Sequence, residues 1–123
     1  MKRWVLFLLM VIATSPAFSG VYEEAVNGKK DVFTYFYTPE CSTCRNFKPA
    51  YDALRKKHPE FVFLDINANS MYGNNLLRKF NGRYVPFLAI TDVNTKKANI
   101  ISPYCAMDSL CIERALKEYK VNR

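Results

Sequence analysis

Two rhythms of apolar residues alternate along the chain from Val21 onward, one with a helical period and one with no polar interruption. Val21 to Lys30 reads as a short helix closed by Asn27-Gly28. Val32-Phe33-Thr34-Tyr35-Phe36-Tyr37 is β-branched and aromatic throughout, the composition of a strand covered on both faces, and it stops at Thr38-Pro39. From Ser42 to Lys57, Phe47, Ala50, Tyr51 and Leu54 recur at helical spacing. His58-Pro59 ends that helix, because the residue before a proline is kept out of the helical region. Phe61 to Ile66 gives a second strand, and Met71, Leu76, Leu77 and Phe80 mark a helix stopped near Asn81-Gly82. Pro86 to Thr91 is a third strand, Asp92 to Lys97 a turn, and Ala98 to Ile101 a fourth strand. In the last helix Ile112, Ala115, Leu116 and Tyr119 form the inward stripe. Glu113 with Lys117 and Arg114 with Glu118 are spaced to pair on its solvent side. A parallel βαβ unit followed by an antiparallel hairpin and a closing helix predicts an α/β fold, a four-stranded mixed sheet with helices on both faces.

The first 19 residues stand apart from this alternation. Lys2 and Arg3 lead into ten apolar residues, Trp4 to Ala13, and then to Thr14-Ser15-Pro16-Ala17-Phe18-Ser19-Gly20. A basic start, a short apolar run and a small-x-small exit describe a secretory signal peptide, with cleavage expected before Gly20. The run is well short of the roughly 20 residues that span a bilayer, so no stable membrane anchor is expected. The expected organisation is a leader at 1–19 and one domain at 20–123, located in the periplasm or secreted. The 123 residues are half hydrophobic with only four Gly and six Pro, which excludes collagen-like and low-complexity chains. The formal charge of +7 falls to +5 once Lys2 and Arg3 are removed. Lys29-Lys30, Arg55-Lys56-Lys57 and Lys96-Lys97 are short clusters at element ends and form no basic stripe, so nucleic acid is not an expected partner.

All four cysteines, Cys41, Cys44, Cys105 and Cys111, follow the leader, which in an exported chain points to disulfide chemistry. Cys41-Ser42-Thr43-Cys44 falls where the first strand ends and a helix begins. Helix amino termini carry unpaired N–H groups and a partial positive charge, and both stabilise a thiolate. A free Cys titrates near 8.5; in such a setting the value can fall to about 3.5–7.5. Cys41, at the exposed end, is the expected attacking thiolate. Cys44, one turn on, would resolve the mixed disulfide. Glu40 and Arg45 should act on Cys41 in opposite directions. Half of a zinc site and a structural clip are the competing readings. Cys105 and Cys111 could complete the zinc site, although their five-residue gap is wider than the usual knuckle. His58, the only histidine, is expected as a solvated helix cap rather than a base, and without a second histidine Ser42 and Thr43 have no partner for hydrolase chemistry.

Phe36-Tyr37-Thr38-Pro39-Glu40-Cys41-Ser42-Thr43-Cys44 with Pro49 in the following helix resembles the active-site segment of the thioredoxin superfamily, and Val85-Pro86 is similar to its cis-proline element. The resemblance covers nearly all of 20–123 and implies a thioredoxin-like fold whose first strand is missing here. It implies a cis Pro86 beside the cysteines, with the Val85 backbone pairing with a substrate chain like an added strand. The sequence also departs from the family. Tyr35 stands where many thioredoxins carry a buried Asp, Phe63 in the place of the accompanying Lys, and Glu40 in that of the usual Trp. The expected function is an exported protein thiol–disulfide oxidoreductase of unassigned direction. It would act on protein thiols and disulfides and on a redox partner protein, as a monomer, with no metal or organic cofactor. The alternative is a non-catalytic binding module on the same fold with structural cysteines. Under the resemblance, the third strand runs away from Cys41 and the fourth returns toward it. Cys105 should then emerge near the first pair and bond to Cys111, either as a structural disulfide or as a second redox pair.

Overall fold

The computed structural model describes residues 20–122, so the expected leader at 1–19 lies outside the described residues. The elements are α1 (Val21–Val26), β1 (Asp31–Tyr37), α2 (Ser42–Lys57), β2 (Phe61–Asn67), α3 (Met71–Lys79), β3 (Phe87–Thr91), β4 (Ala98–Ile101), a 3-10 turn (Pro103–Met107) and α4 (Ser109–Asn122). They form an α/β fold around one mixed sheet in the order β2-β1-β3-β4. β1 and β2 are parallel, with Asp31 opposite Phe61 and Tyr37 opposite Asn67. β3 runs antiparallel to β1, Phe36 facing Phe87, and β4 antiparallel to β3.

The uninterrupted apolar run of β1 is what a central strand needs, since both of its faces are covered. Phe33 and Tyr35 point into a core with Phe47, Tyr51 and Leu54 of α2, Leu88 and Ile90 of β3, and Ile112 and Leu116 of α4. Phe36, one residue out of phase, joins Leu76 and Leu77 of α3 with Phe87 and Ala89 on the other side. Asp31 fastens the far end of β1: it accepts the Val93 N–H at 2.9 Å and the Tyr119 hydroxyl at 2.8 Å.

Three local expectations are corrected, for α1, His58 and Glu113, and one turn appears that the pattern did not mark. α1 ends at Val26 instead of reaching Lys30, with Asn27 at its carboxyl cap, and the Lys30 ammonium donates to the Pro59 carbonyl at 3.0 Å. The connection after β4 contains a 3-10 turn, set by Pro103 at its first position and by Ser102, whose side chain accepts from the Tyr104 N–H. His58 is the carboxyl cap of α2, as expected, but it is less solvated than expected, with its side chain 16% exposed. Its Nδ1 lies 3.1 Å from Glu60 and its Nε2 2.8 Å from Glu113. Glu113 thus turns toward α2, with Lys57 at 3.4 Å, rather than pairing with Lys117 along α4. The tight turn into β2 and the packing of α4 across it bring these groups together, and neither effect is local in sequence.

This cluster makes stability depend on acidity. Burial opposes ionisation of Glu60, but hydrogen bonds from Lys120, its own backbone and His58 outweigh it and hold the carboxyl at about 2. Burial likewise opposes ionisation of Glu113, while His58 and Lys57 lower its pKa. A depressed folded-state pKa contributes stability above the ordinary value near 4.5 that is lost as the pH falls toward 2. Glu60 is 44% exposed, so solvent screening keeps the contribution below about 1 kcal/mol. Urea unfolding at a series of pH values should show Glu60→Gln slightly less stable than the parent at neutrality. The two curves should converge as the pH approaches 2, and a gap independent of pH would contradict the assignment.

Candidate active site

β1 delivers the chain to the Thr38-Pro39 turn, and Cys41 is the cap residue of α2, with extended backbone at φ −78° and ψ 109°. In that conformation its side chain turns back over the first helical turn. The Cys44 N–H donates to Cys41 Sγ at 3.0 Å, so sulfur occupies the place that a Ser or Asp oxygen takes in an ordinary cap. The two cysteines are joined by a disulfide with Cα atoms 5.2 Å apart. Cys41 is half-buried, whereas Cys44 is 2% exposed. No acidic residue lies in the first turn of α2, so nothing there offsets the positive end of the helix.

The charged neighbours are tethered elsewhere. Glu40 accepts from the Asn69 side-chain amide at 2.7 Å, and this bond, more than any other contact, lowers its carboxyl pKa. Arg45 donates to the Pro39 carbonyl at 2.9 Å and braces the loop. The opposing effects expected of these two residues on Cys41 therefore start from side chains committed to loop contacts.

The loop before β3 closes the other side. The Val85–Pro86 peptide is cis, and the Val85 carbonyl oxygen lies 3.9 Å from Cys41 Sγ. Val85 packs against both cores, which fixes this approach from below. Tyr84, next to it, is exposed at the surface, with its ring 5.5 Å from that of Phe87.

Beneath the cysteines the site is aromatic. The Tyr35 hydroxyl donates to the Cys44 carbonyl at 3.2 Å. Burial, with smaller contributions from Asp65 and Tyr37, pushes Tyr35 up to about 12, so it remains a donor at physiological pH. Phe63 stacks on Phe33 at 5.1 Å and lies edge-on to Tyr51 at 5.8 Å. The sequence pattern marks Tyr35 as core, at the position where many thioredoxins carry a buried Asp, and gives no signal for Asp65. The strand register that sets Asp65 opposite Tyr35 is non-local.

Cys105 and Cys111 are joined by the second disulfide, with Cα atoms 5.1 Å apart. It ties the 3-10 turn to the first turn of α4, where Asp108 accepts the Leu110 N–H at 3.0 Å. Cys105 is buried in the core that contains Cys44, and Cys41 and Cys111 pack against that core. Both pairs are disulfides, and among the described residues no group of three or more His, Cys, Asp or Glu is placed to hold a metal ion.

The thioredoxin family model matches residues 13–110. Among solved structures, the chain is similar to thioredoxin from Fasciola hepatica, with 20% identity over 75% of this chain and 83% of that one, and a TM-score of 0.63. Oxidised thioredoxin O2 from Arabidopsis thaliana aligns with 19% identity over 79% and 84% of the two chains, at a TM-score of 0.61. Oxidised thioredoxin from Plasmodium falciparum aligns with 14% identity over 80% and 88%, at 0.65. At these identities the structural likeness concerns the fold.

The second disulfide closes a short loop, and replacing both Cys105 and Cys111 with Ser should lower the unfolding free energy by about 2–3 kcal/mol, from loop-closure entropy. Urea unfolding of the oxidised protein measures this. An unchanged midpoint would remove the structural role.

Proposed function

The chain belongs to the thioredoxin family, and on that basis we propose that it is an exported thiol–disulfide oxidoreductase that exchanges disulfides with other proteins, in the periplasm or outside the cell. The observation that carries the reading is the Cys44 N–H directed at Cys41 Sγ at the amino end of a 16-residue helix. When the pair is reduced, the same N–H and the helix dipole favour Cys41 as a thiolate. That thiolate attacks one sulfur of a partner disulfide, and the other partner sulfur leaves with the bonding electron pair. Cys44 then attacks Cys41 Sγ, the Cys41–Cys44 bond closes, and the second partner sulfur departs as a thiol. Run backward, the same steps oxidise a partner dithiol, and the relative potentials of the two couples set the direction.

Val85 and Pro86 supply the docking edge. The Val85 carbonyl beside Cys41 can pair with an extended partner backbone and hold its sulfur in line with the attacking atom. Electrons pass from sulfur to sulfur, so this mechanism uses no metal or organic cofactor, and a monomer suffices. Export is supported by the Lys2-Arg3 start, the apolar run and the Ala17-x-Ser19 exit. The pair Cys105–Cys111 serves as a structural brace for the 3-10 turn and the start of α4.

Single replacements separate the two sulfur roles. Cys41→Ser should abolish reduction of a protein disulfide, while Cys44→Ser should still attack but accumulate mixed disulfides, visible on non-reducing gels. If Cys44→Ser releases its partners as fast as the parent, the resolving role is wrong. If the parent protein itself exchanges no disulfides, the pair is structural and the protein is a binding module.

A further inference from the structure

A groove between β4 and α4 takes no part in the function proposed above. It holds about 630 Å³, within the range of roughly 300–1,000 Å³ common to ligand sites. Asn99 and Ile101 wall it from the strand and Arg114 and Ala115 from the helix, and the Cys105–Cys111 disulfide forms part of its lining. None of its residues belongs to α2 or to the Val85–Pro86 loop, so the second disulfide opens on a different part of the surface from the first.

The chemistry of the lining narrows what fits. A disulfide reacts with a thiolate, and the two sulfurs are not equally open to one: Cys105 is 4% exposed, whereas Cys111 is half-buried. Arg114, three residues on along α4, shares the helix face of Cys111 and is exposed in the same groove. A cation there favours an approaching thiolate. Farther along, Lys97 and Arg114 are offset by Asp92 and Glu118, so the groove selects no net charge. Beside it the sheet ends. β4 is the last strand, and among the described residues no strand pairs with its outer side, where Ile100 is 47% exposed. Such an edge offers its backbone N–H and C=O groups to an added strand. Every second side chain of an added strand would face the groove, where Ile101 and Ala115 supply apolar contact.

We propose that Cys105–Cys111 is a second exchange site, reached by a dithiol protein that lays an extended, uncharged segment along β4 with one cysteine directed at Cys111. Neither Cys41 nor Cys44 takes part. The partner thiolate attacks Cys111 Sγ; the Cys105–Cys111 bond breaks, and Cys105 leaves with the electron pair and takes up a proton. The partner's second thiolate then attacks its own sulfur in the mixed disulfide, and Cys111 departs as a thiolate that is protonated in turn. The partner dithiol becomes a disulfide and Cys105–Cys111 becomes two thiols, with the two partner protons accounted for. Because this disulfide ties the 3-10 turn to the start of α4, the exchange makes and breaks that brace.

Capture is read on the oxidised full-length protein carrying Cys41→Ser and Cys44→Ser, which leaves only the second pair. The probes are a capped peptide of alternating threonine and valine with cysteine in place of the central valine, the same peptide N-methylated on both residues flanking the cysteine, and N-acetylcysteine amide. Mass spectrometry of acid-quenched samples should place the mixed disulfide on Cys111. The peptide should react about tenfold faster than the simple thiol, the gain expected of a pair of backbone hydrogen bonds. N-methylation should remove that gain. Arg114→Glu should slow all three thiols several-fold, and added salt should shrink the difference. Adduct mapping in the parent protein should find the Cys111 adduct forming at the same rate. Equal rates for the three probes, adducts on Cys105 alone, or capture confined to the serine variant or to urea would each overturn the proposal. Unchanged capture in Arg114→Glu would place the reaction outside this groove and overturn it as well. All of these outcomes leave the reading of Cys41 and Cys44 untouched, since neither sulfur is present in the test protein.

Discussion

The hydrogen bond from the Cys44 N–H to Cys41 Sγ is the contact on which the rest of the site depends. It exists because Cys41 holds the cap position of α2 with extended backbone while Cys44 lies inside the first turn. A sulfur in that position replaces the oxygen of an ordinary cap, and what would have been a structural bond becomes a device for favouring a thiolate. Shifting either cysteine by one residue would move it around the helix and break the geometry. The contact therefore fixes the number of residues between the cysteines, Ser42 and Thr43.

The sheet supplies the rigidity that the contact needs. β1 is buried on both faces between two apolar clusters, and it leads directly into the turn that presents Cys41. From the other side, Val85 packs against both clusters and brings its carbonyl to Cys41. The Tyr35 hydroxyl reaches up from β1 to the Cys44 carbonyl, so the floor of the site and the first turn of α2 are held to each other. This floor is built from rings rather than a buried ion pair. It leaves charge at the margin of the site, on Asp65, Lys48 and Arg55, where solvent reaches all three.

What could be read from the sequence was local. The limits of α2 at Ser42 and Lys57 follow from the cap residue and from His58-Pro59, both adjacent to the helix they bound. The doubly buried character of β1 follows from its composition, and the return of the chain through β4 from the turn at Asp92 to Lys97. The junction of Cys41 with a helix start is likewise contained within a few residues. What escaped depends on distant partners. His58 becomes an enclosed residue only because Glu113 arrives from α4, 55 positions later. The 3-10 turn after β4 is too short to show a period. Asp65 looks like the polar end of an apolar run until the parallel register places it across from Tyr35 and the α2 cations approach it.

The central claim is that the amino end of α2 makes Cys41 an acidic thiol. Its most direct test is the pH dependence of Cys41 alkylation by iodoacetamide in the reduced Cys44→Ala protein, followed by mass spectrometry; the backbone N–H at position 44 survives this replacement. The account predicts a rate governed by a pKa between about 3.5 and 7.5, the range of thiols at helix amino termini. A value at or above that of a free thiol, about 8.5, would contradict it.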